Sequence, residues 1–125
     1  MKIENCRVAI ADDEAMIRYA LKSIIKSLNM SCAGEATNGQ EAVALYAQEQ
    51  PDIMFLDINM PVKNGDEALQ EIRAKFPGAR VVMLTSVAET ETVKKCVQNG
   101  AISYILKTNP LDKIKIMIAE IVANI

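Results

Sequence analysis

The stretch Ile53-Met54-Phe55-Leu56-Asp57 decides the fold. Four apolar residues in succession end on one carboxylate, and Pro51 stands just ahead of them. A run so short, and apolar without alternation, fits a strand buried on both faces. Three further runs share the pattern: Val8-Ala9-Ile10-Ala11-Asp12-Asp13, Val81-Val82-Met83-Leu84-Thr85-Ser86 and Tyr104-Ile105-Leu106-Lys107. Each puts its polar residues at the carboxyl end. In a parallel α/β sheet those ends open onto one crevice, where ligands bind. Three carboxylates, a hydroxyl and an ammonium would then meet in one small space, a set suited to a divalent cation and a phosphoryl group.

Working outward, strand-like and helix-like segments alternate five times. The first strand spans Arg7 to Ala11. Glu14 to Leu28 carries Ile17, Leu21, Ile24, Ile25 and Leu28 at helical spacing. Ser31 to Ala36 makes a weaker second strand. Asn38-Gly39-Gln40-Glu41 reads as an N-cap with Glu at the third helical position, opening a helix to about Glu49. After the strand at Ile53 to Asp57, Asn64-Gly65-Asp66-Glu67 repeats that cap pattern. The helix it opens carries Ala68, Leu69, Ile72 and Phe76 on one face and stops at Pro77-Gly78. Arg80 to Thr85 is the fourth strand, Glu89 to Asn99 a helix ended by Gly100, and Ile102 to Leu106 the fifth strand. Asn109-Pro110 suits an N-cap with proline at the first helical position, and the last helix runs from Leu111 to near the end. Alternation at these lengths implies crossover connections, a parallel sheet and one doubly wound domain over residues 1–125.

Composition narrows the chemistry. Hydrophobic residues make up 50% and charged residues 24% of the 125 residues, as in an ordinary soluble domain. A formal net charge of −2 gives no case for nucleic-acid binding. No apolar stretch nears the roughly 20 residues of a membrane span, and Met1 to Arg7 lacks the apolar core of a signal peptide, so the cytoplasm is the expected location. The three cysteines, Cys6, Cys32 and Cys96, form no C-x-x-C pair and read as reduced, mostly buried thiols. The chain has no histidine, which removes the commonest general base and zinc ligand. Any metal must be held by oxygen, hence magnesium or calcium.

The order Asp12-Asp13, then Asp57-Ile58-Asn59-Met60-Pro61, then Thr85-Ser86, then Lys107 resembles the receiver domain of bacterial two-component response regulators, over essentially the whole chain. Each motif alone has a plain structural reading; Asp12-Asp13, for example, could simply favour a helix N-terminus. Together, each after its own strand, they are specific. The resemblance implies a five-stranded, flavodoxin-like (βα)5 fold with five flanking helices and strand order 2-1-3-4-5. It also implies that Asp57 accepts a phosphoryl group as a carboxylate nucleophile. Asp13 and Asp57 would ligate Mg2+, Asp12 directly or through water, and the Asn59 main-chain carbonyl would add an oxygen. Two unit charges about 4 Å apart interact by roughly 4 kcal/mol at an effective dielectric of 20, so three clustered carboxylates call for a counter-ion. Lys107 would hold the phosphoryl oxygens, and Thr85 would donate a hydroxyl after transfer.

By the same resemblance, Thr85 and Tyr104 occupy the family's switch positions. Thr85 would be drawn inward on phosphorylation and Tyr104 would take the vacated space. The face made by the fourth helix, fifth strand and fifth helix would bind the output partner, with Lys94, Lys95, Tyr104, Lys113 and Ile116 on it; an acidic, amphipathic segment would suit it. The donor would be a histidine kinase or phosphotransfer protein. Output would pass through a downstream protein, as in a chemotaxis-type regulator or a phosphorelay shuttle. A monomer is expected, with dimerisation on phosphorylation left open.

One departure stands out. Where the family usually has proline after the lysine, this chain has Thr108. A cis bond there would cost about 2.5–4 kcal/mol, so the expectation is a trans bond with a reshaped loop, or a costly cis bond. Val87, two residues after Thr85, cannot orient water, while Asn59 stands two after Asp57. Among other classes, an electron carrier on this fold would need a Ser/Thr/Gly-rich loop after the first strand, where Asp12-Asp13-Glu14-Ala15 stands. An aspartate-nucleophile phosphatase would place Asp-x-Asp on that strand, which is not seen. A phosphorylation-independent interaction module stays open.

Overall fold

In the computed structural model, which describes residues 3–87 and 90–125, five parallel strands form one sheet in the order β2-β1-β3-β4-β5. They are β1 (Arg7–Ala11), β2 (Ser31–Ala36), β3 (Ile53–Asp57), β4 (Val81–Thr85) and β5 (Ser103–Leu106). The helices are α1 (Ala15–Ser27), α2 (Gly39–Glu49), α3 (Gly65–Lys75), α4 (Glu91–Gln98) and α5 (Leu111–Ala123), with a 3-10 turn at Ile3–Asn5 before β1. The expected architecture and strand order are those found.

Strand side chains alternate between two core layers, as the two-residue period of a strand requires. Val8, Ile10, Ile53, Phe55, Val82, Leu84 and Ile105 meet Leu21, Ile24 and Ile25 of α1 and Ile114, Ile118 and Val122 of α5. Ala9, Ala11, Met54, Leu56, Val81 and Met83 meet α2, α3 and α4 through residues such as Tyr46, Leu69, Ile72, Val93 and Cys96. Every residue of β3 and β4 is buried, because both strands lie inside the sheet and under helices on both faces. β2 is an edge strand and mostly exposed, which explains its weak apolar signal and leaves Cys32 exposed while Cys6 and Cys96 are buried; all three thiols are free.

Local chemistry differs from expectation at several helix starts. Asn38 caps α2 as expected, accepting from Glu41 N at 2.8 Å, but Glu41 reaches back to the N–H and hydroxyl of Thr37. Asn64 makes no side-chain cap at α3. Instead Gly65 N–H donates to the Ile58 carbonyl at 2.7 Å, so that turn is held by the strand end. Asn109 is not the cap of α5: Pro110 holds that position, and the Asn109 amide lies 3.7 Å from Met117 Sδ. α4 starts at Glu91, where Thr90 caps by accepting from Val93 N; Glu89, expected in that helix, lies outside the described residues. Gly100 ends this segment with φ +103°, as its position suggested. There is no cis peptide bond among the described residues, so Lys107-Thr108 is trans, and a turn closes from Asn109 N–H to the Leu106 carbonyl. No helix among the described residues is long and apolar enough to cross a membrane.

Candidate functional site

The site lies at the carboxyl ends of β1, β3 and β5. Parallel pairing puts Ala11 beside Leu56 and Asp57 beside Leu84, so Asp12 and Asp57 leave neighbouring strands at the same level. Close packing fixes the backbone around Asp57. A side chain at Gly65 would put its Cβ 1.9 Å from the Asp57 carbonyl oxygen, so only glycine lets α3 start this close.

Lys107 reaches across from the end of β5. Its Nζ lies 2.9 Å from Asp12 Oδ2, 3.3 Å from Asp57 Oδ2 and 2.7 Å from Glu14 Oε1. Asp12 and Asp57 are buried, and so is the lysine side chain, at 6% exposure. Burial pushes the Asp57 carboxyl up to about 6, and the charge of Asp12 adds to it; Lys107 and the Asn59 N–H pull the other way. Asp12 is also raised, chiefly by burial. For Lys107, burial alone would lower the ammonium, but bonds to Glu14 and Asp12 and the charge of Asp57 outweigh it and hold it above its ordinary range.

Asp12, Asp13 and Asp57 come together as the sequence indicated, and Glu14 joins them: one carboxylate oxygen from each lies within 4.8 Å of the others. Asp13 is exposed at the mouth, whereas Asp12 is buried and accepts from Glu14 N at 2.8 Å through Oδ1. Its Oδ2 is buried and accepts no well-directed hydrogen bond, although the lysine charge stands 2.9 Å away. A buried carboxylate oxygen lacking a directed partner, in an all-oxygen donor set, fits a hard cation such as Mg2+. Asn59 is exposed, and its main-chain N–H donates to Asp57.

Thr85 is buried at the end of β4, but its hydroxyl turns to its own loop. It donates to the Val87 carbonyl at 2.9 Å and accepts from Val87 N at 3.2 Å. Tyr104 is half-buried against the core and shares a surface groove with Val93, Lys94, Val97 and Gln98. Lys95, Lys113 and Ile116 are exposed on α4 and α5, Ile116 at 59%.

Sequence reasoning missed Glu14. Its signal was an acidic residue directly after Asp12-Asp13, which reads equally well as a charge favouring the start of α1. Arg18 was missed too. Its Nη1 donates to the Asp12 carbonyl at 2.8 Å while Nε pairs with Glu35 at 3.1 Å, which steadies the β1–α1 turn.

Residues 8–119 match the family described as the response regulator receiver domain. The chemotaxis protein CheY of Thermotoga maritima is 41% identical over 101 residues, covering 81% of this chain and 84% of that protein. Protein CcdB of Bacillus subtilis is 36% identical over 111 residues, covering 89% and 91%. Among solved structures, the response regulator domain of Thermotoga maritima CheB superposes with a TM-score of 0.88 at 34% identity, covering 96% of this chain and 95% of that one. A structure of the CheX–CheY–BeF3–Mg complex from Borrelia burgdorferi gives 0.84 at 30% identity, covering 92% and 89%.

Proposed function

The chain belongs to the response regulator receiver domain family, and on that premise we propose that it is a phosphoacceptor whose acceptor is Asp57. One observation carries the reading. The carboxylate at the end of β3 is buried, faces Asp12, and has a lysine ammonium 3.3 Å away. An Asp57 oxygen attacks phosphorus, and the bond from phosphorus to the donor breaks as the acyl phosphate forms. The donor lies outside this chain, which has no histidine of its own; the family reading makes it the phosphohistidine of a kinase or phosphotransfer protein. The setting is the cytoplasm.

Lys107 hands its charge to the arriving phosphoryl oxygens, and Asp12 and Asp57 keep it aimed. Asp12, Asp13 and Asp57, with the Asn59 carbonyl, would hold Mg2+. When bound, the ion would supply positive charge to offset the carboxylates and the phosphoryl group. The Thr85 hydroxyl, now spent on Val87, would swing to a phosphoryl oxygen. Tyr104 would follow it inward, changing the groove it shares with Lys94 and Val97. A partner protein reads that change on the α4–β5–α5 face, where Lys95, Lys113 and Ile116 also lie. A phosphoryl group brings about −1.5 to −2 charge, enough to bias a two-state element.

The test is intact mass after incubation with acetyl phosphate, with and without Mg2+, on wild type and Asp57→Asn. The reading expects one phosphoryl adduct that needs both the ion and Asp57. An adduct of equal yield on Asp57→Asn would contradict it.

A further inference from the structure

Lys107 is hemmed in by anions: its Nζ donates to Glu14 Oε1 and Asp57 Oδ2 and lies 2.9 Å from Asp12 Oδ2. An ammonium has three N–H groups, and three carboxylates stand at 2.7, 2.9 and 3.3 Å from Nζ. A phosphoryl oxygen that approaches this ammonium competes with all three. Asp12 and Asp57 side chains are 0% and 5% exposed, so either would be left as a buried anion. The Glu14 side chain is 59% exposed, and water can take over its oxygens when the lysine leaves.

Glu14 is also placed for this task. It stands at the N-cap of α1, yet its side chain makes no cap. The Asp12 carboxylate bonds to Glu14 N instead, and the freed glutamate side chain crosses to Lys107, 93 positions along the chain. We propose that Glu14 is a positioning residue, a releasable tether that holds Lys107 toward the mouth until a phosphoryl oxygen takes its place. It touches neither the donor nor the reacting atoms and acts through the lysine. This rests on the reading of Asp57 as acceptor.

Tether length separates this role from simple repulsion of an anionic donor. Glu14→Gln weakens the pull on the ammonium, and Glu14→Asp keeps the charge but shortens the reach by one methylene. Both should raise the rate constant for adduct formation from acetyl phosphate at saturating Mg2+, by roughly two- to fivefold, the scale of an exposed ion pair. The gain should vanish in a Lys107→Ala background, as coupling through the lysine requires. In metal-free protein, the Lys107 side-chain ammonium resonance should move in both variants while thermal midpoints stay close to wild type. Mg2+ affinity by calorimetry should not fall.

Glu14→Asp behaving as wild type while Glu14→Gln speeds the reaction would overturn the tether in favour of charge alone. A fall in Mg2+ affinity would overturn it in favour of a metal ligand, and an unmoved Lys107 resonance would overturn it outright. In each of these cases wild type still forms its adduct, so the acceptor reading survives. A wild type that forms no adduct overturns both.

Discussion

Around Asp57, side chains from far apart in sequence meet in one ion cluster, whereas the Thr85 hydroxyl beside it bonds within its own loop. Lys107 joins the ends of β1, β3 and β5 in one ion cluster, and Gly65 lets α3 press against the Asp57 carbonyl. On the other side, among the described residues, the Thr85 hydroxyl bonds to Val87, two residues on. α4 is eight residues long and buries Val93 and Cys96, and Tyr104 is half-buried beside it. A charge-dense cluster next to a locally bonded hydroxyl is the arrangement a receiver needs. A new charge acts most strongly on the clustered groups, and the Thr85 hydroxyl answers it by giving up bonds within its own loop.

The largest break in this contrast comes from removing the common partner. Lys107→Ala leaves Asp12 and Asp57 buried with no cation in contact. Urea unfolding of metal-free protein should show a loss of about 3 kcal/mol, with Mg2+ restoring much of it. An unchanged midpoint would mean that the cluster is not what ties the three strands together.

Asp57→Asn should act in the opposite direction. The Asp57 carboxyl is pushed up to about 6, first by burial and then by Asp12. The folded protein therefore keeps this proton to higher pH than the unfolded chain does. The group favours folding below about pH 4, its ordinary range, and that contribution is lost as pH rises through about 6. Removing the charge should stabilise the metal-free fold at neutral pH by ~1–3 kcal/mol and flatten its pH dependence across that window. Stability against pH, measured for both proteins, checks the sign.

The locally held side should lose less. Thr85→Ala removes two bonds within one loop, at a cost of about 1 kcal/mol. The adduct should still form, but the Tyr104 ring resonances should no longer move on phosphorylation. Resonances that shift as in wild type would remove Thr85 from the relay. The smallest effect belongs to Val62, in the loop after β3. It is 76% exposed and held at φ +69°, a region a β-branched residue enters at a cost of roughly 1–2 kcal/mol. Glycine relieves that strain but adds about 0.5–1 kcal/mol of chain entropy, so Val62→Gly should gain under about 1 kcal/mol in denaturant melts.

The sequence made the strand ends legible because each is an apolar run closed by a polar residue. Once parallel order is granted, Asp12, Asp57, Thr85 and Lys107 must lie along one edge. Glu14 was hidden because its partner is 93 residues away, a tertiary contact no local pattern carries. Asn64 matched a cap pattern and failed it, since the Ile58 carbonyl holds Gly65 N–H and the strand end sets that turn. Asn109 failed because Pro110 sits one position outside the helix and takes the cap place itself. Cys32 lies exposed because β2 is an edge strand, a property of sheet order and not of its own residues.

The most direct measurement is the position of the covalent bond. Wild-type protein would be phosphorylated with acetyl phosphate and Mg2+, reduced with borohydride to convert any acyl phosphate to an alcohol, digested and sequenced by mass spectrometry. The account predicts homoserine at residue 57 and unmodified aspartate at 12 and 13. Reduction product at residue 12 or 13, with residue 57 untouched, would contradict it.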